Sequence, residues 1–293
     1  MSETSLAEAG SQQGRAAVDP YPASCRKVGQ RLSLFGHLRR LIGYRELLWS
    51  LTLRDIKVRY KQSLLGVSWA ILQPLAMTLI FTVVFSYFTR IDTHGIPYPI
   101  FAYAAMLPWT FFANSLSFGV PSIVNNTNLV TKIYFPRETF PLAAVMACFV
   151  DFLVASAVFV GLMIHYHYGL NIHMLWLPAV IMIQIVLALA ISLFLSAINV
   201  FFRDIRFAIP LLVQVWMFAS PVIYPVSMVP ERLRALYMLN PMAGVLDTFR
   251  TVLLKGASPH LPYLIPAASV AIILLVVSYA AFKRLEMKFA DFI

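Results

Sequence analysis

The sequence predicts an all-α integral membrane protein with six transmembrane helices. Three observations carry this. Of 293 residues, 60% are hydrophobic and only 12% are charged, where a soluble chain carries roughly a quarter charged. The apolar residues fall in blocks near the ~20 needed to cross ~30 Å of hydrocarbon. The basic residues collect between alternate blocks, as the positive-inside rule requires. A mean hydropathy of +0.76 agrees.

Residues 1–37 form a polar tail without an apolar h-region, read as solvated, disordered and not a secretory signal. Residues 38–66 follow as an interface helix. Taken as a helix, Leu47, Leu51, Val58 and Leu65 share one face, with Arg54, Lys57 and Lys61 lined up beside it. An amphipathic helix with a cationic flank suits the inner membrane surface.

The transmembrane domain is assigned to 67–293. Its apolar blocks are Trp69–Phe88, Ile100–Ile123, Phe140–Ile164, Leu175–Val200, Phe207–Tyr224 and Tyr263–Phe282. Pro108, Asn114 and Pro121 are expected to break up the second. Between the fifth and sixth lies Pro225–Pro262, whose shorter apolar piece carries Asp247 and Arg250. Two charges at full depth are expensive, so this segment reads as a re-entrant external hairpin partly buried in protein.

Eighteen of the 23 Lys and Arg residues fall on the side of the two termini, which places both termini in the cytoplasm. The net charge of +10 is accounted for by these flanks and gives no reason to invoke nucleic acid. Asn125-Asn126-Thr127 matches a glycosylation sequon, but this topology puts it inside the cell.

Enzymatic signatures are missing. The sequence has no GxxxxGK[ST] loop to cradle phosphates, no HExxH and no GxSxG. Cys25 and Cys148 stand in different settings and make no CxxC. His165, His167 and His173 cluster with Tyr166 and Tyr168 in an external loop, where interfacial His and Tyr are ordinary, and no metal site is assigned. Asp151 is the one carboxylate inside a strongly apolar span. It must be protonated, paired or facing water, and either a functional role or a structural hydrogen bond fits. Ala188, Ser192 and Ser196 form a small-residue stripe suited to close helix packing.

Four stretches together resemble the ABC-2-type permease family, in its polysaccharide-export branch of O-antigen, capsule and teichoic-acid exporters. The first is Asp55–Gly66 (DIKVRYKQSLLG), with Trp69-Ala70 and Leu72-Gln73-Pro74 after it. The second is Asn128-Leu129-Val130 with Lys132 and Phe135-Pro136-Arg137-Glu138. The third is Phe202-Arg203-Asp204-Ile205. The fourth is Ser220–Tyr224 (SPVIY), continuing to Leu239-Asn240-Pro241-Met242 and Phe249-Arg250.

The resemblance implies a homodimer of six-span subunits, with a channel for a lipid-linked polysaccharide between them, in the cytoplasmic membrane of a bacterium. Two separate ATPase subunits would bind ATP and Mg, leaving this chain with no cofactor and no catalytic residue. It makes the interface helix and Val124–Phe135 the ATPase-coupling surface, and Pro225–Pro262 a gate. Arg54, Lys57, Lys61, Asn125, Asn128, Lys132, Tyr134, Arg137 and Glu138 are the expected coupling residues. Sugar rings stack on aromatic faces, so Tyr87, Tyr103, Trp109, Phe112, Trp216, Phe218 and Tyr224 are candidates to line the channel, with Asn240, Asp247 and Arg250 at the gate. Two alternatives stay open. One is an ABC-2 permease for a drug or glycolipid. The other is a membrane-embedded transferase using Asp151.

Overall fold

A computed structural model describes residues 43–61, 63–88, 91–93, 95–132 and 135–289, without the side chains of 87, 88, 131 and 132. The 1–37 tail, the start of the interface segment, Tyr134, and the side chains of Tyr87 and Lys132 lie outside the described residues. The described residues form helices and no strand.

Helix α1, Arg45–Tyr60, has Glu46 in its first turn and Lys57 and Arg59 in its last, the polarity that suits a helix dipole. Its apolar stripe is buried only in part, with Leu47 and Leu51 packed in one cluster. Leu51 and Thr52 are buried, Val58 is 72% exposed, and Leu65 lies beyond the helix end. The reason is the partner. α1 packs along α5, Thr139–His165, and turns Arg59 and Tyr60 toward Asp151 on that helix. Asp151 stands about 18 Å from the start of α5 at 1.5 Å per residue, so the contact lies well along that helix. Gly66, at φ +52°, turns the chain from α1 into the first span.

α2, Ser68–Thr82, continues into a π-helical stretch, Val83–Phe88. α3, Tyr98–Gly119, runs unbroken through Pro108 and Asn114, contrary to expectation. Neighbouring helices brace it. Gln184 donates to the carbonyl of Pro108 at 2.5 Å, and the Tyr103 hydroxyl donates to that of Ala155 at 3.0 Å. Only Pro121 falls outside α3.

A 3₁₀ turn, Val124–Asn126, leads to the short α4, Thr127–Lys132, and then α5. A second 3₁₀ turn, Ile172–Trp176, opens α6, Leu177–Phe201. α7, Ile205–Phe218, is followed by α8, Glu231–Tyr237, α9, Pro241–Leu254, and α10, Leu261–Glu286.

Four helical segments among the described residues are long and apolar enough to cross a membrane: Ser68–Ser86, Thr139–His165, Ile172–Phe201 and Leu261–Glu286. The remaining two apolar blocks fold differently. α3 has the length, about 33 Å, but is rich in aromatics and nearly enclosed by its own subunit. α7 reaches only about 21 Å.

Lipid tails are as apolar as leucine, so helix association here rests on close packing by small residues. Ser192, in the middle of the small-residue stripe of α6, lies against Gly119 of α3, where an added Cβ would stand 2.7 Å from its Oγ. Ser192 also donates to the carbonyl of Ser115 at 3.2 Å. The main core surrounds α3 with residues of α5, α6, α7 and α9. A second cluster joins Leu51 of α1, Ile123, Val130, Phe135 and Phe140 to Phe282 and Phe289 at the end of the chain.

Candidate functional site

Asp151 does not stand alone. The Arg59 guanidinium forms a salt bridge with Oδ2, and the Tyr60 hydroxyl donates to Oδ1 at 2.7 Å. A second Arg59 nitrogen donates to the Cys148 sulfur at 3.7 Å, and the guanidinium lies 3.9 Å from the centre of the Phe118 ring. Arg59 therefore touches α1, α3 and α5 at once. Burial, then the bond to Asp151, push the Tyr60 phenol up to about 12, so it remains a donor at any physiological pH. Beside the pair, between α2, α3 and α5, lies a small partly open cavity of about 10 Å³, lined by Thr110, Asn114, Cys148 and Asp151 among apolar neighbours. The Gln73 and Asn114 amides meet next to it at 3.4 Å.

The segment between α3 and α5 is held by the last helix. Lys283 of α10 donates to Glu138 at 2.7 Å and to Glu286 at 2.8 Å, and Tyr279 approaches Glu138 at 3.4 Å. Arg137 donates to the carbonyl of Glu286 at 3.0 Å and faces the Phe289 ring. Glu138 is 4% exposed. Arg137 and Glu138, two of the expected coupling residues, thus join the segment between α3 and α5 to α10. Asn125 and Asn128 remain exposed, as do Lys57 and Lys61, whereas Arg54 pairs with its neighbour Asp55 at 2.8 Å.

Glu138→Ala is expected to cost about 1–3 kcal/mol, because it leaves a half-buried ammonium with one partner. Glu286→Ala, at the more exposed partner, should cost less, and Glu138→Ala with Lys283→Ala should recover part of the loss. Thermal stability of the detergent-solubilised variants checks this order. Equal losses for Glu138→Ala and Glu286→Ala would refute it.

The gate and channel candidates divide. Tyr103, Trp109 and Phe112 are buried within the subunit, Tyr103 stacked on Phe159 at 6.2 Å and Phe112 edge-on to Trp216 at 5.1 Å. Enclosed by their own helices, they present no face for a sugar in this arrangement. Phe218 is 54% exposed.

The others tie α9 and the segments around it together. Asn240 caps α9 through the backbone N–H of Met242, accepts from the Trp216 indole at 3.0 Å and donates to Ser220 at 2.8 Å. Arg250, 4% exposed, donates to the carbonyls of Phe101, Pro221, Val222 and Tyr224 and covers the Phe101 ring at 3.6 Å. The Tyr224 hydroxyl meets that of Tyr237 at 3.1 Å, and Asp247 pairs with His260 at 3.0 Å. Among the described residues, no group of three or more His, Cys, Asp or Glu side chains is placed to hold a metal ion.

The model of one family, the ABC-2 type transporter, matches residues 46–254, from the start of α1 to the end of α9. The chain belongs to the ABC-2 type transporter family. Its similarity extends along nearly the whole length of several members. The O-antigen export system permease protein RfbA of Myxococcus xanthus is 32% identical over 257 residues, which is 87% of this chain and 98% of that protein. A protein of the same name from Klebsiella pneumoniae is 29% identical over 247 residues, 84% of this chain and 94% of that protein. The polysialic acid transport protein KpsM of Escherichia coli is 25% identical over 212 residues, 71% of this chain and 81% of that protein.

Within this ABC-2 permease, three groups of residues were missed in the sequence as site candidates. Arg59 and Tyr60 lie inside the Asp55–Gly66 stretch, and a lone mid-span carboxylate was itself a signal that a cation must come from elsewhere. Lys283 reads in the sequence as an ordinary cationic flank. Gly244 carries no signal until the neighbouring helix is seen.

Proposed function

We propose that this chain is the membrane-spanning subunit of an exporter that carries a lipid-linked surface polysaccharide across the cytoplasmic membrane of a bacterium. ATP, with Mg, is hydrolysed in a separate subunit, in keeping with the missing phosphate-binding loop of this sequence. The observation that carries the reading is the relatives. Transport proteins named for two different cargoes, O-antigen and polysialic acid, align along most of both chains.

In this reading α3 and α7 are the second and fifth of six spans, with the hairpin of α8 and α9 completing the depth that α7 leaves. Both termini face the cytoplasm, where most Lys and Arg lie. Two copies form the conduit. The exposed apolar faces of α2 and α7, which include Leu79, Ile80, Leu211, Leu212 and Phe218, are available to lipid or to the second copy. The exposed side of α1, with Trp49, Lys57 and Lys61, and the turn with Asn125 and Asn128, contact the ATPase. The hairpin that Arg250 latches is the external gate.

The test is recovery of the tagged chain from native membranes in mild detergent, with surface polymer measured on cells lacking the gene. Recovery of an ATPase with a phosphate-binding loop, near one per permease, and polymer retained inside deleted cells are expected. A homo-oligomer without ATPase, or unchanged surface polymer, rejects the reading.

A further inference from the structure

We propose that Arg59 and Asp151 are the joint through which movement of α1 reaches the membrane-spanning helix α5, with Tyr60 holding the carboxylate in position. This rests on the exporter reading, in which α1 contacts the ATPase.

The geometry argues for a joint in three steps. First, α1 is two-sided. Trp49, Lys57 and Lys61 are exposed on it, while Leu51, Thr52 and the Arg59–Asp151 contact face inward. Second, α1 is not continuous with the first span. The helix ends at Tyr60, and Gly66, at φ +52°, makes a turn before α2 begins at Ser68. A push on α1 is therefore absorbed along the chain at a bend, whereas its side-to-side packing is on α5.

Third, the contact resists sliding. Apolar side chains let one helix slip past another by small rotamer changes. A guanidinium fork aimed at one carboxylate, with a phenol on the second oxygen, fixes register and angle. The same guanidinium reaches Cys148 one turn back on α5 and the ring of Phe118 near the end of α3. Displacement of α1 thus acts on the middle of α5 and on α3 together. Stability alone does not require such a pair, since apolar residues of similar volume commonly pack as well. Specifying one geometry between two helices is a use that apolar residues serve poorly.

The experiment measures three quantities for each variant: the amount of permease–ATPase complex purified, its ATP hydrolysis, and surface polymer on cells. Asp151→Asn and Arg59→Gln remove one charge each. The double variant Arg59→Met with Asp151→Leu removes both and leaves no buried charge unpaired. In all three, complex and hydrolysis are expected to persist while polymer per ATP hydrolysed falls about tenfold or more, within the usual range of coupling between sites.

Wild-type polymer per ATP in Asp151→Asn, or in the double variant, overturns the inference. So does loss of complex in proportion to loss of polymer in the single and double variants alike, because a folding contact moves all three quantities together. If the wild-type chain brings down no ATPase, or its deletion leaves surface polymer unchanged, the exporter reading falls instead, whatever the variants do.

Discussion

Gly244→Ala is expected to separate α9 from α10 and to abolish a stable assembly of the hairpin. A Cβ at Gly244 would lie 2.4 Å from the carbonyl oxygen of Tyr263 and 2.9 Å from the Cβ of Ala267, both on α10. Neither atom is the end of a flexible side chain. The clash is relieved only by moving one helix against the other, and overpacking of this kind costs about 1–3 kcal/mol or more. The displacement also reaches Arg250, six residues further along α9, whose four carbonyl partners lie on other segments. Gly161→Ala is the matched control. It stands in α5 with open space where its Cβ would go, and alanine is favoured over glycine in a helix by about 1 kcal/mol. Monodisperse protein recovered after graded heating in detergent should fall sharply for Gly244→Ala and hold or rise for Gly161→Ala. Parallel behaviour of the two would show that the α9–α10 contact tolerates a methyl group.

The apolar blocks and the interrupted segment at 225–262 were legible because both follow from solvent. About twenty apolar residues suit hydrocarbon, and a segment carrying Asp247 and Arg250 does not. The helices accordingly begin and end near the expected places. Partnerships were less legible. Arg59 and Asp151 lie 92 residues apart, and periodicity within α1 groups Leu47, Leu51 and Val58 on one face without naming a partner for Arg59. Leu47 and Leu51 do pack inward, whereas Val58, beside the Arg59 contact, is exposed. Aromatics were ambiguous for a related reason. Sugar-stacking, lipid-facing and packing aromatics share one composition, and only the enclosure of α3 by α5 and α6 places Tyr103 and Phe112 in the third group. Proline was overread in α3, because a helix enclosed by its neighbours is held by their packing and by bonds such as that of Gln184 even where one backbone donor is missing.

Arg250→Ala should free the loop after α7, and Arg250→Lys should recover only part of the loss. The guanidinium serves four carbonyl oxygens from two separate segments: Phe101 in α3, and Pro221, Val222 and Tyr224 in the stretch that follows α7. That stretch cannot satisfy its carbonyls within a helix, because α7 ends at Phe218. Each carbonyl left without a donor in a buried setting costs about 1–3 kcal/mol. Alanine also removes the stacking on Phe101 and leaves a void between α3 and α9. Lysine keeps the charge, but as a single point on a flexible stem it reaches at most one or two of the four oxygens. The loop after α7 would then be released from α9 while Asn240 still caps that helix at its other end. Limited proteolysis of the solubilised protein is the direct readout. Cleavage between 219 and 240 should appear in Arg250→Ala, appear more slowly in Arg250→Lys, and be absent from wild type under the same conditions. Equal protection of all three would mean that the carbonyls find other donors, and that the Asn240 cap with the Trp216 and Ser220 bonds holds the hairpin alone.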